Sequence, residues 1–573
     1  MPGEIYKNRK IFNKSNLKIF LILISTLFSG FITFGFPKSL NINYIGSTDF
    51  LLAQAQIQSI VQAGPFNRTF NLGFPYGFTQ WNNPEFGLIQ SIFIYFFGNL
   101  TQVTNFGLFG IINLISIFLN VVCFYLLSKL LSNKLSVHIL YILLGSITPY
   151  SVLTFGHPHV LSFFILPLTL YILIKILSGV ITKKDYLIFS IMMLVPSVFW
   201  INILLFIFLT LYILHLILYV TKNTQRLLLS SVQKVLILIF IPFSINFLMY
   251  YFHNSINGQN GRTYWQSDNF GGKFTDFIVS SPFINHFFNF NLRLSEIVSS
   301  EINARMVGFT LSLSIIFALP LIFISSYLKK IDLKTQVLVT LLQITFFYFF
   351  IGGFGNFQAA LFALFNSSSP VRAWSRLIIF IGILSISLLV ILIENSKFKR
   401  RSNFLYLFFI TLIFLDLAYL KINEKYQDNF KQQEVFDSVE FLQDNLKPCP
   451  ILQLPVDTYF IPQSAQDFGL RYYWNGMIPY LLAPNYKWSA AIYTDSPGWS
   501  ELLKIPTKVS QSDLSLISKK YCAILFDTNF SQYQIDRKAS LSAKKLIWPG
   551  LLLDETINAN YSDTRFKVIL LND

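Results

Sequence analysis

Charge is what this chain has least of. Only 13% of its 573 residues are Asp, Glu, Lys or Arg, about half the share of an ordinary soluble domain. That scarcity excludes a string of soluble domains, which the length alone would permit. Acidic residues are scarcer still, 28 against 44 basic. Cysteine occurs three times, too seldom for a disulfide-stapled scaffold or a cysteine-rich metal site. There is no phosphate-binding P-loop, no GxSxG, no HExxH and no CxxC, which removes the common soluble hydrolase, metalloprotease and redox motifs. Gly352-Gly353 stand at the end of an apolar run, not between a strand and a helix, and make no nucleotide fingerprint. No internal repeat and no long low-complexity segment interrupts the chain.

What fills the chain is apolar: 53% of residues are hydrophobic and the mean hydropathy is +0.53. A bilayer span takes about 20 mostly apolar residues, because every backbone polar group must be satisfied inside the helix. Such runs are expected at 18–36, 105–130, 136–153, 160–179, 228–252, 306–328, 334–353, 376–394 and 404–421, and the stretch 186–220 breaks near Pro196 into two more. The fold expected is a polytopic α-helical membrane protein with about eleven transmembrane helices. The net charge of +16 is no nucleic-acid footprint, because the basic residues sit in short clusters between runs. With the N-terminus inside, Lys134, Lys183-Lys184, Lys222 and Arg226, Lys329-Lys330 and the Lys397–Arg401 cluster all fall on one side, as the positive-inside rule requires. The basic tail 1–17 is then cytoplasmic, and the run behind it, lacking a small-residue cleavage site, is a retained span. Within the membrane region 18–421, the loops 37–104 and 253–304 fall outside, as does the C-terminal region 422–573. The stretch Leu88–Phe97 is too short to span and is expected to lie at the interface or re-enter it.

The C-terminal region changes character and is expected to be a soluble α/β domain. Residues 435–446 and 513–519 have helical spacing, and 451–456, 522–528 and the RFKVILL run near the end have strand patterns. Cys449 and Cys522 each adjoin a strand-like run. Outside the cytoplasm they can form a disulfide; otherwise they stand as two buried thiols. Cys123 lies inside an apolar run as packing.

The polar residues that could carry chemistry crowd the outer loops. Asp49 follows Ser47-Thr48 and precedes FLLAQAQIQSIVQ; it is either a base or anchor at the membrane surface or the N-cap of a helix. His157 and His159 flank Pro158 between two spans, where they could ligate a metal, contact a headgroup phosphate, or simply make a turn. Arg372 and Arg376 are four residues apart around Trp374. Arginine grips phosphate with a rigid fork, but interfacial arginines also snorkel. Asp416, near the outer end of the last expected span, is a functional candidate because carboxylates are costly there.

In order and local pattern the chain resembles the GT-C superfamily of polytopic membrane glycosyltransferases. The resemblance rests on Asp49 in the first loop, Gly73-Phe74-Pro75-Tyr76-Gly77 with Asn83-Pro84 behind it, and Tyr150 followed by Gly156-His157. Ser369-Pro370-Val371-Arg372-Ala373-Trp374-Ser375-Arg376, Leu452-Gln453-Leu454-Pro455 and Lys487-Trp488-Ser489 also contribute. It covers most of the chain through short motifs. It implies an enzyme that moves a sugar from a polyprenyl-phosphate donor to an envelope glycan or lipid acceptor at the outer face of the inner or plasma membrane. Asp49 would be the catalytic base. Many members carry an acidic pair in this loop; here Phe50 follows Asp49 and the next acid is Glu85. That departure leaves a divalent metal unsupported by ligand spacing, and the expectation is no certain cofactor.

One carboxylate suffices chemically, because a phosphate leaves without the protonation a sugar alkoxide needs. Arg372 and Arg376 would clamp the phosphate, with His157 and His159 as headgroup contacts. Phe74, Tyr76, Trp81 and Trp265 are candidates for stacking on sugar or prenyl. The partners expected are the bilayer, the lipid-linked sugar and its acceptor, with no nucleic acid. A transporter or flippase of a lipid-linked saccharide is the alternative, as is a catalytically inactive GT-C-like scaffold. A transporter would place ionisable groups near the midplane, whereas here they crowd the outer face.

Overall fold

The computed structural model describes residues 14–37, 49–75, 77–78, 86–101, 103–154, 157–196, 198–220, 226–254, 308–324, 333–350, 374–396, 401–418, 433–456, 477–489, 501–502, 504–529, 531–532 and 550–571. Contacts divide the chain into two units: residues 1–39, 110–246 and 261–422, and residues 40–109, 247–260 and 423–573.

The helices, in chain order, are α1 (Lys14–Phe34), α2 (Asp49–Ala63), α3 (Leu88–Leu100), α4 (Asn105–Leu131), α5 (Leu135–Ser146), α6 (Pro149–Leu153), α7 (Pro158–Leu161) and α8 (Ile165–Leu177). There follow α9 (Lys183–Met192), α10 (Val198–Val220), α11 (Arg226–Asn254), α12 (Phe309–Ile324), α13 (Leu333–Phe350), α14 (Ile378–Asn395) and α15 (Ser402–Ala418). A helix stands in each stretch expected to span. Among the described residues, six are long and apolar enough to cross a membrane: Asn16–Phe34, Asn105–Leu131, Leu135–Val152, Pro158–Leu177, Trp200–Val220 and Ile378–Asn395. The protein is therefore a multi-pass membrane protein. The first half of the 186–220 stretch forms only the ten-residue α9, which ends before Pro196.

In the first unit, helices approach through small residues, as association within lipid favours. A Cβ on Gly145 of α5 would meet the Val121 Cα of α4 at 2.9 Å, and one on Gly382 of α14 would meet Leu311 of α12 at 3.0 Å. Polar groups in the helices are satisfied locally: Thr26 and Thr33 hydroxyls donate back to the Ile22 and Ser29 carbonyls at 2.8 and 2.7 Å. Where Lys134 precedes α5, it pairs with Glu394 of α14 at 2.9 Å, and Tyr406 of α15 donates to the same carboxylate at 2.9 Å. Lys175 and Asp185 pair at 2.7 Å, and Asp185 also closes a capping box with Thr182 at the start of α9.

The second unit holds the α/β region. Its further helices are α16 (Gln433–Asn445), α17 (Ile478–Leu482) and α18 (Gln511–Ile517), and its strands are β1 (Pro450–Leu454), β2 (Lys487–Trp488), β3 (Lys508–Val509), β4 (Ala523–Asp527), β5 (Leu552–Leu553), β6 (Tyr561–Ser562) and β7 (Phe566–Leu570). Five of these make a sheet in the order β2-β1-β4-β7-β6, and β3 pairs with β5. β1 runs parallel to β2 and β4, while β7 is antiparallel to β4 and β6. Parallel strands covered on both faces are apolar throughout, and the core divides accordingly. Ile451, Ala523, Leu525 and Val568 pack against Val435, Val439 and Leu442 of α16; Leu452, Leu454, Ile524, Phe526 and Ile569 pack on the other face with Val509 and Ile517. Cys449 and Cys522, just ahead of β1 and β4, form a disulfide with Cα atoms 6.3 Å apart.

The first of these two cores also contains Leu51, Leu52 and Ala55 of α2, with Leu72 and Phe78 behind it. Behind α2 the chain folds back on itself: Thr69 and Phe78 pair antiparallel, and Gly77 donates to the Gly73 carbonyl at 2.8 Å. Both glycines have positive φ, 71° and 79°, and a Cβ on Gly77 would stand 2.7 Å from the Thr69 carbonyl oxygen, so glycine is required there.

Candidate functional site

In the first unit, the four-residue helix α7 carries His159 and is preceded by His157. So short a helix leaves its carbonyls without helical partners, and side chains from neighbouring helices supply them. Asn120 of α4 donates to the Leu161 carbonyl at 2.9 Å, and Trp200 of α10 donates to the Val160 carbonyl at 3.2 Å. Ser116 of α4 and Ser162 meet at 3.1 Å. Pro158, at the first helical position, needs no N–H partner. The two histidine rings stand edge to face, 5.8 Å between centroids.

Arg376 lies on a 3-10 turn, Trp374–Leu377, that leads into α14. Its side chain is buried, and its Nη1 is 2.9 Å from His159 Nε2. A guanidinium can only donate, so His159 Nε2 accepts. The ring is therefore neutral, with its proton on Nδ1. Two residues offered by the sequence for a headgroup phosphate are thus in direct contact across a separation of 217 residues. The Nε2 lone pair of His159 thus faces the Arg376 guanidinium. Among the described residues, no three His, Cys, Asp or Glu side chains gather as a metal ion would need.

Asp49 is the first residue of α2; its side chain lies outside the described residues. So do Arg372, Tyr76, Trp81 and Trp265. Phe74, offered for stacking on a ligand, packs edge to face on Tyr521 at 5.9 Å. Asp416 has a structural task. Its carboxylate accepts from the Phe309 N–H at the start of α12, where the helix dipole favours a negative charge. Gly308, with φ of 87°, makes room for it: a Cβ there would lie 2.8 Å from Asp416 Oδ2. The cysteine alternatives resolve to the disulfide. Asn120 and Trp200, which set the backbone of the histidine segment, escaped the sequence reading. Their signal was an amide and an indole inside otherwise apolar spans, where polar groups are retained for a reason.

The fold is that of a polytopic helical membrane protein and is similar to solved structures of membrane enzymes. Its likeness to solved structures runs over nearly the whole chain at low identity. The apo oligosaccharyltransferase of Archaeoglobus fulgidus superposes with a TM-score of 0.50 at 14% identity, over 92% of this chain and 71% of that one. ArnT from Cupriavidus metallidurans, in the apo state, gives 0.46 at 10% identity over 98% and 99%. The same protein bound to undecaprenyl phosphate gives 0.38 at 10% identity over the same shares. No family model and no curated protein matches the sequence.

Proposed function

We propose that the protein is an integral-membrane glycosyltransferase. It moves a sugar from a polyprenyl-phosphate donor to an envelope glycan or lipid acceptor, at the outer face of the inner or plasma membrane. The observation that carries this reading is the Arg376–His159 contact, which joins two predicted phosphate contacts in a GT-C-type fold. The oligosaccharyltransferase and ArnT of that fold support it by analogy, and ArnT has been solved with undecaprenyl phosphate. The Cys449–Cys522 disulfide supports an oxidising compartment for the C-terminal region, as does the charge parity of the loops.

In this reading the acceptor hydroxyl gives its proton to the Asp49 carboxylate. Its oxygen attacks the anomeric carbon, the bond from that carbon to phosphate oxygen breaks, and polyprenyl phosphate leaves with the electron pair. Arg376 stabilises the charge gathering on the leaving phosphate. The hydrogen bond to His159 fixes the orientation of the guanidinium. His159 thereby positions Arg376, while His157 and Arg372 contribute further headgroup contacts.

The test is to express wild type, Asp49→Ala and Arg376→Lys in a strain lacking the gene, confirm equal membrane levels, and compare envelope glycans by mass spectrometry. Arg376→Lys keeps the charge and loses the fork, so transfer is expected to fall by about 10²-fold. Asp49→Ala should reduce it at least as far. A glycan profile identical in the gene-deleted, wild-type and variant strains would remove the proposal.

A further inference from the structure

The first loop is held by a few specific contacts from far along the sequence. Tyr480 of α17 is fully buried. Its phenol donates to Gln62 Oε1 near the end of α2 at 2.9 Å and also bonds the Thr69 side chain. The Gln62 amide in turn donates to the Pro484 carbonyl at 2.8 Å, and Asn71 donates to that same oxygen at 2.9 Å. Two donors on one carbonyl use both its lone pairs. Four residues on, Trp488 donates its N–H to the Asn71 carbonyl, and Phe74 donates to the Trp488 carbonyl, each at 2.9 Å. Leu72 and Trp488 pair parallel. β2 is only two residues long and stands at the end of the sheet order. The segment 71–74 therefore adds to that edge as a strand would.

The helix so held is buried almost all round: Leu51, Leu52, Ala53, Ala55, Ile57 and Ile60 show no more than 1% of their surface. Its 15 residues contain one ionisable group, Asp49, at the first position. A rigid buried helix transmits a displacement at one end to the other, because close-packed interiors do not deform smoothly.

We infer that Tyr480 and Trp488 of the C-terminal region are positioning residues for α2. Tyr480, through Gln62, and Trp488, through residues 71–74, set where Asp49 stands. The positioning role rests on the function proposed above; the clamp itself does not.

Tyr480→Phe removes one hydroxyl and leaves a half-buried Gln62 oxygen without its donor. Tyr486→Phe is the matched control, because the Tyr486 phenol donates to the Leu446 carbonyl within the C-terminal region. Hydrogen exchange of residues 50–63 is measured by mass spectrometry on the full chain in nanodiscs. Exchange there is expected to rise about tenfold in Tyr480→Phe and to stay within about twofold of wild type in Tyr486→Phe. Envelope-glycan transfer in cells is expected to fall about tenfold in Tyr480→Phe, while affinity for undecaprenyl phosphate stays within about twofold. A merely structural lesion would move transfer and lipid affinity together. Equal exchange in the two variants overturns the clamp. Faster α2 exchange with wild-type transfer overturns the positioning role. Wild-type glycans in Asp49→Ala would instead overturn the base assignment, and the exchange contrast would still decide the clamp.

Discussion

Asp416 stands near the end of an apolar span, where the sequence puts a costly carboxylate, and the structure shows a backbone group that holds it. A carboxylate at the end of an apolar span is costly unless something holds it, and here the first N–H of α12 does so. Asp416→Asn keeps an acceptor and loses the charge, and should cost about 0.3–2 kcal/mol through the helix dipole. Asp416→Ala removes the acceptor as well and should cost at least about 1 kcal/mol more. Thermal unfolding in detergent checks the order, and equal midpoints for both variants would deny the capping role. The residues of the Arg376–His159 pair were legible as types: histidines beside a proline, arginines at a membrane entry. Their contact was not legible, because 217 residues separate them and no local pattern encodes that distance. Nor could Asn120 and Trp200 be read as supports, since their task exists only once α7 is too short to satisfy its own carbonyls.

At the scale of elements, the apolar runs announced the helices well, because a run of about 20 apolar residues has few other fates. The boundaries near Lys134 and Lys183 followed from the basic residues between runs. What hydropathy could not supply was which helices touch, since lipid tails and leucine side chains are equally apolar and the contacts are chosen by small residues. Gly145 is the clearest case. A side chain there would meet backbone atoms of Val121 and Asn120 at 2.9–3.0 Å, and backbone cannot rotate away as a side chain would. Gly145→Leu should therefore force α4 and α5 apart and cost about 1–3 kcal/mol. The control is Gly179→Ala, which meets nothing within 4 Å but has a φ of 68° and so should cost only its backbone strain, about 1 kcal/mol. Thermal midpoints that fall equally in the two variants would mean that the close approach is not what Gly145 provides.

At the scale of the molecule, chain order misled. The strands at 450–454, 523–527 and 566–570 lay where their patterns put them, but the unit they build also takes in residues 40–109. Leu51, Leu52, Leu72 and Phe78 share a core with Ile451, Leu525 and Val568. A hydrophobic pattern states that a face will be buried and is silent on the partner. The disulfide belongs to this same core: Cys522 is one of its members and Cys449 packs against it. It closes a separation of 73 residues, and removing such a link typically costs about 2–5 kcal/mol. Reduction should therefore speed hydrogen exchange first in β1 and β4. Because α2 buries its apolar face in that core, exchange should rise in residues 50–63 as well. Cys123, buried and free, contributes nothing to the change, so Cys449→Ala/Cys522→Ala should reproduce the effect of reductant and then be insensitive to it. If reduction loosens β1 and β4 while α2 keeps its full protection, the helix draws its stability from elsewhere, and the shared core is not what couples the first loop to the C-terminal strands.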